Sequence, residues 1–185
     1  MLFENSLMAL LKKFVLVRGC FLVVVLCVSS CDRGLEADAE EMGIAGTVFF
    51  KGDWPEGVEE VAVAVYRDLP QEPSDLLGLS GADQGVVLNS KSYDYFIPLD
   101  RGGVYRWIIV AWRRPDAFWD FTSLLGCYQT EGDLHPGAVE VAFGQVIDGV
   151  DFTVDLNFIT SPPDLRSNTC TSVLPQEILD AATGS

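Results

Sequence analysis

Val104-Tyr-Arg-Trp-Ile-Ile-Val-Ala-Trp112 is a run of β-branched, aliphatic and aromatic residues broken by one arginine. It follows Pro98-Leu-Asp-Arg-Gly-Gly103, where the glycine pair supplies the positive φ that a tight hairpin needs, and it stops at Arg113-Arg114-Pro115-Asp116. A continuous apolar run of this length between turn signals reads as a buried strand. On the amino-terminal side, Val61, Val63 and Val65 alternate with Ala62, Ala64 and Tyr66. Both faces of that segment are apolar, which places it inside a sheet. Further strands are expected at 44–50, around 93–97, within 118–128, at 138–143 and at 150–158. In the last, Phe152, Val154, Leu156 and Phe158 face one way and Asp151, Thr153, Asp155 and Asn157 the other. Seven short strands without a helical repeat predict an all-β fold, a seven-stranded antiparallel sandwich with Ig-like layering over residues 43–158. Residues 67–85, rich in Gly, Pro and Asp, form a long loop of the kind that carries function or bridges two sheets. Residues 159–185 are expected to be a short irregular tail.

The amino-terminal region has a different grammar. Lys12, Lys13 and Arg18 precede the uncharged run Cys20 to Val28, which is shorter than the roughly 20 apolar residues a bilayer-spanning helix requires. Residues 1–30 therefore read as an export signal. The run closes on Val28-Ser29-Ser30-Cys31, which resembles a bacterial lipobox. That resemblance implies that Cys31 is lipidated and becomes the first mature residue, anchoring the chain to a bacterial membrane, the outer membrane in preference, with the domain extracytoplasmic. An ordinary secretory peptide cut near Ser30, or an uncleaved anchor, are the alternative readings. Residues 31–42 carry five acids and one arginine after the cysteine, an acidic tether.

The whole chain of 185 residues has 12 basic and 27 acidic residues and a formal charge of −15. Without residues 1–30 it keeps nine basic and 26 acidic residues, so the charge becomes −17. Such a chain repels a phosphate backbone, so no nucleic-acid partner is expected. Acid excess with only Lys51 and Lys91 in the mature part also suits a high-salt habitat.

The segments Gly43-Ile-Ala-Gly-Thr-Val48, Tyr95-Phe-Ile-Pro-Leu99, Gly103-Val-Tyr105 and Ile147-Asp-Gly-Val-Asp-Phe152 are similar to the carboxypeptidase-regulatory-like, transthyretin-like sandwiches. In that family a Gly-x-Tyr turn follows a hairpin and a "v-x-G-v-d-f" motif opens the final strand. These domains are frequent in surface lipoproteins of Bacteroidetes-type bacteria. The resemblance implies fold more than function, since its motifs are turn glycines and core alternation. The long 67–85 loop and the tail depart from it.

Chemistry-bearing residues are sparse. Cys127 and Cys170 are the thiols left after Cys31, and an exported location permits them to bridge; the alternative is two separate thiols. Asp148, Asp151 and Asp155, with Asp53 or Asp100, could offer oxygen ligands to Ca²⁺, but their spacing matches no EF-hand and a solvated surface is the better reading of them. His135 lies alone in a turn, and Glu59-Glu60 and Asp116 with Asp120 are carboxylate pairs without a visible cleft. No catalytic residue, metal or cofactor is expected. Trp107 is assigned to the core; Trp54, Trp112 and Trp119, flanked by Pro, Arg or Asp, are the candidates to stack on a glycan or anchor a protein partner, although the area an indole must hide favours core or loop-anchoring duty for each. The reading is a non-catalytic binding or accessory module of the cell envelope. A purely structural scaffold is the alternative, and a carboxylate-based hydrolase a more distant one.

Overall fold

A computed structural model describes residues 41–130 and 135–183. The expected export signal, Cys31 and nearly all of the expected acidic tether lie outside the described residues. Among the described residues the chain is mostly strand. The first sheet is built on β1 (Gly43–Lys51), which pairs antiparallel with β4 (Ser92–Pro98) and parallel with both β9 (Val146–Ile147) and β10 (Phe152–Asp155). The second sheet runs β3 (Gly81–Asp83), β2 (Glu60–Tyr66), β6 (Trp107–Arg113), β7 (Leu124–Cys127), antiparallel throughout. A two-stranded ribbon joins β5 (Gly103–Tyr105) to β8 (Val139–Val141).

The all-β class holds, but the expectation of seven antiparallel strands does not. Among the described residues there are ten strands, two of them parallel to β1, and three features account for the difference. The run Val104–Trp112 is divided at Arg106, whose N–H donates to the carbonyls of Tyr66 and Arg67 while the chain passes from the ribbon into the second sheet. The chain also crosses over before β10, which makes its pairing with β1 parallel. Finally, the strand expected at 150–158 ends at Asp155, because the Asp155 carboxylate accepts from Asn157 N and Nδ2 and turns the chain into a short helix, Asn157–Thr160.

The two large sheets share one hydrophobic core. Ile44, Val48, Phe50, Tyr95 and Ile97 enter it from the first sheet, and Val61, Val63, Val65, Ile108 and Val110 from the second. Tyr95 donates its hydroxyl to the Val150 carbonyl at 2.7 Å, tying the core to the segment that leads into β10. A second core lies on the opposite face of the second sheet, where Ala64, Tyr66, Trp107 and Ile109 meet Leu165, Leu174, Ile178 and Leu179. The carboxy-terminal tail is thus not irregular. Its helix Gln176–Thr183 buries Ile178 and Leu179, because the apolar outer residues of β2 and β6 require a cover.

Candidate functional site

The outer face of the second sheet has a large end and a small end. At the large end Tyr66 stands opposite Trp107, with ring centroids 5.2 Å apart. The tail covers it there: Trp107 Nε1 donates to the Cys170 carbonyl at 3.1 Å, and the Cys127 and Cys170 sulfurs are joined, with Cα atoms 5.6 Å apart. At the small end the register places Ala62 opposite Ala111 and Ala64 opposite both Ala82 and Ile109. Four alanines have no side chain beyond Cβ with which to fill the layer above the sheet. A groove of about 180 Å³ remains over them, walled by Leu76, Leu77 and Leu79 on one side and Trp119, Asp120 and Leu124 on the other.

Both walls are held by local hydrogen bonds. In the 67–80 loop, Asp75 Oδ2 accepts from the backbone N–H groups of Gln71 and Glu72, and the Tyr66 hydroxyl donates to the Leu76 carbonyl at 3.0 Å. Ser80 N–H returns to the Val65 carbonyl, which starts β3. In the facing loop, Asp120 Oδ1 caps the turn at Phe121–Ser123 by accepting from Thr122 N and Oγ1. Leu77 is 86% exposed and Trp119 37% exposed, so the groove has an apolar rim open to water. Phe118, 90% exposed, precedes Trp119.

The three tryptophans proposed as a platform do not come together. Trp112 is only 9% exposed and belongs to the inner core, the duty set beside a binding role for it, so it is no part of an exposed platform. The reason is the break at Arg106: β6 resets the alternation, so Ile108, Val110 and Trp112 point inward while Trp107, Ile109 and Ala111 point outward. Trp54 is half-buried, packs on Phe50 and donates Nε1 to the Ser90 carbonyl at 2.7 Å, which makes it a loop anchor. Only Trp119 of the three lines the groove.

The carboxylates are occupied elsewhere. Arg113 pairs with Glu60 at 2.7 Å and Glu59 at 3.2 Å. Asp148 and Asp151 accept from the backbone N–H groups of Gly149 and Thr47. Asp155 has Asn157 and Lys51 as partners. Among the described residues no cluster of three His, Cys, Asp or Glu side chains is placed to hold a metal ion. His135 is exposed. No described helix is long and apolar enough to cross a membrane.

The 67–80 loop also borders a second concavity, a cleft of about 490 Å³ lined by Arg67, Leu69, Pro70, Leu79, Asp100 and Arg101 among others. Leu79 and Tyr66 contribute to both the groove and the cleft. Burial pushes the Tyr66 phenol up to about 12. At the cleft the hydrogen bond from Arg101 holds the Asp100 carboxyl below the usual carboxylate range.

Sequence reasoning passed over the alanine groove, although its signal is present in the Val/Ala alternation of 61–65: large residues on one face and small ones on the other. It also passed over Arg67. No protein family, curated protein or solved structure matches this chain.

Proposed function

We propose that this chain is a lipid-anchored, non-catalytic binding module of the bacterial cell envelope. In this reading Cys31 carries the anchor, the acidic tether spaces the domain from the membrane, outer in preference, and the body is a transthyretin-like sandwich of the carboxypeptidase-regulatory-like type. The observation that carries the binding role is the alanine-floored groove with its Leu77 and Trp119 rim. Its volume of about 180 Å³ suits one leucine- or phenylalanine-sized side chain rather than a whole small molecule, whose sites usually span ~300–1,000 Å³. A floor of alanines offers no hydrogen bonds to a sugar. The expected occupant is therefore an apolar anchor side chain on a protein segment. A mature charge of −17 favours a partner with basic residues beside that anchor.

The test uses the purified domain and two short peptides, acetyl-Lys-Leu-Lys-amide and acetyl-Glu-Leu-Glu-amide, with a neutral oligosaccharide as the third probe. NMR signals of the Ala62, Ala64, Ala82 and Ala111 methyls should shift saturably with the basic peptide, and Ala64→Leu or Leu77→Asp should remove the shift. Methyls that ignore both peptides, or that respond to the oligosaccharide alone, overturn the reading. For the anchor, Cys31→Ser should move the chain from the membrane fraction to the soluble one.

A further inference from the structure

The cleft on the other side of the 67–80 loop contains a guanidinium whose hydrogen-bonding and charge are incompletely matched. Arg67 follows the last residue of β2, and its side chain is held by backbone and ring contacts. One terminal nitrogen donates to the Gly102 carbonyl, and the guanidinium lies over the Tyr105 ring, 5.3 Å from its centroid. The Tyr105 hydroxyl in turn donates to the Arg101 carbonyl. Gly103 has φ +144°, and a Cβ there would stand 2.7 Å from the Arg67 terminal nitrogen, so glycine at this position leaves the room the guanidinium occupies.

What Arg67 lacks is an acid in contact: Asp100 acts on it only through space and is itself paired with Arg101. Among the described residues Arg101 pairs with Asp100, Arg106 with Asp68, Arg113 with Glu59 and Glu60, and Arg166 with Asp180; the exposed Arg114 lies over the Trp112 ring, and no carboxylate lies within ion-pair distance of the half-buried Arg67. Its Nε is buried without a hydrogen-bond acceptor. In a chain with more than twice as many acids as bases, a half-buried arginine with no carboxylate in contact stands out. The acids that line the cleft are already engaged: Asp68 and Asp100 by neighbouring arginines, and Asp75 by the backbone of its own loop. Arg67 lines the cleft, and the complement of a guanidinium there is an anionic oxygen acceptor.

We propose that the cleft at Arg67 binds a carboxylate, carried on a molecule with an apolar body. A planar carboxylate matches the guanidinium fork, and it brings one negative charge rather than the near two of a phosphate past Asp68, Asp75 and Asp100. The apolar body follows from Leu69, Pro70 and Leu79, which share the cleft, and its volume of about 490 Å³ lies in the range of small-molecule sites. The site shares Tyr66 and Leu79 with the groove, but its charged group, Arg67, lines the cleft and not the groove.

The test follows the Arg67 Nε–Hε signal by NMR in the purified domain at constant ionic strength. Sodium hexanoate should shift it saturably, while hexanol and inorganic phosphate should not. Acetyl-Gly-Leu with a free carboxyl, compared with its amide, then distinguishes a peptide terminus from a free acid as the source. Arg67→Lys should weaken hexanoate binding about tenfold, because a point charge replaces the fork. Arg67→Met should abolish it, read from the Gly102 and Gly103 amides. Thermal unfolding of both variants shows whether the fold is kept, and Arg67→Lys carries the test if Arg67→Met unfolds. The proposal is overturned if hexanoate gives no saturable shift, if hexanol shifts the signal equally, or if a folded Arg67 variant binds hexanoate as the parent does.

Discussion

Replacing both Cys127 and Cys170 by alanine should lower stability by about 4 kcal/mol without changing the native fold. The bond closes a loop of 43 residues, and in the chain-entropy description its removal frees an unfolded chain by about that amount at 25 °C. On the native side the tail does not hang on the disulfide alone. Leu165, Leu174, Ile178 and Leu179 are buried against the outer face of the second sheet, each contributing roughly 1.5–3 kcal/mol. Trp107 reports on that docking, because it is fully buried and its Nε1 donates to the Cys170 carbonyl. Urea unfolding followed by tryptophan emission should therefore show an unchanged native spectrum, one cooperative transition and a midpoint shifted down. In a thermal scan the loss corresponds to a shift on the order of 10 °C. A native-state red shift would refute the reasoning, since it would mean the bond holds the tail in place rather than restricting the unfolded chain. So would a stability loss under about 1 kcal/mol.

Three further perturbations have defined outcomes. Tyr95→Phe removes the 2.7 Å bond to the Val150 carbonyl in the core and should cost about 1–2 kcal/mol in urea unfolding, with native circular dichroism kept. Tyr66, whose phenol burial raises to about 12, keeps its proton in the folded state at pH values where the unfolded chain loses it near 10. Stability should therefore fall between pH 10 and 12, by about 2 kcal/mol for this group, and Tyr66→Phe should flatten that slope in urea midpoints measured across the range. Gly103→Ala places a Cβ at a positive φ and 2.7 Å from Arg67. It should cost about 1–3 kcal/mol in thermal unfolding and move the Arg67 Nε–Hε signal.

How much of this was legible depended on whether period-two alternation survived intact. At 61–66 it did, and the assignment of an internal strand with two apolar faces matches β2 between β3 and β6. At 104–112 it failed, because alternation says which residues share a face only while the backbone stays in one sheet. Arg106 moves between sheets, so Tyr105 enters the inner core and Trp107 the outer one, and Trp112 is carried inward. The helix Gln176–Thr183 was missed for a different reason: eight residues give too few turns for a convincing apolar stripe, and its stability comes from the sheet face it covers. Arg67 was invisible because an unpaired charge is defined by what is not beside it in space.

The size of the outward residues carries more information than their polarity. An outer face that only needed a lid would gain from large residues along its whole length, because each buried methylene contributes about 0.8 kcal/mol. That pattern holds at the large end, where Tyr66, Trp107 and Ile109 lie beneath the disulfide-tied tail. Toward the other end the same two strands present Ala62, Ala64 and Ala111, with Ala82 beside them, and the bulk reappears at the edges, at Leu124 of β7 and in the loops that stand over the sheet, at Leu76, Leu77 and Trp119. Fixing apolar bulk at a rim while withholding it from the floor creates a concavity that the tail does not fill. Packing among the described residues gives no reason for that arrangement, whereas an incoming side chain would supply the contacts the alanines leave unmade.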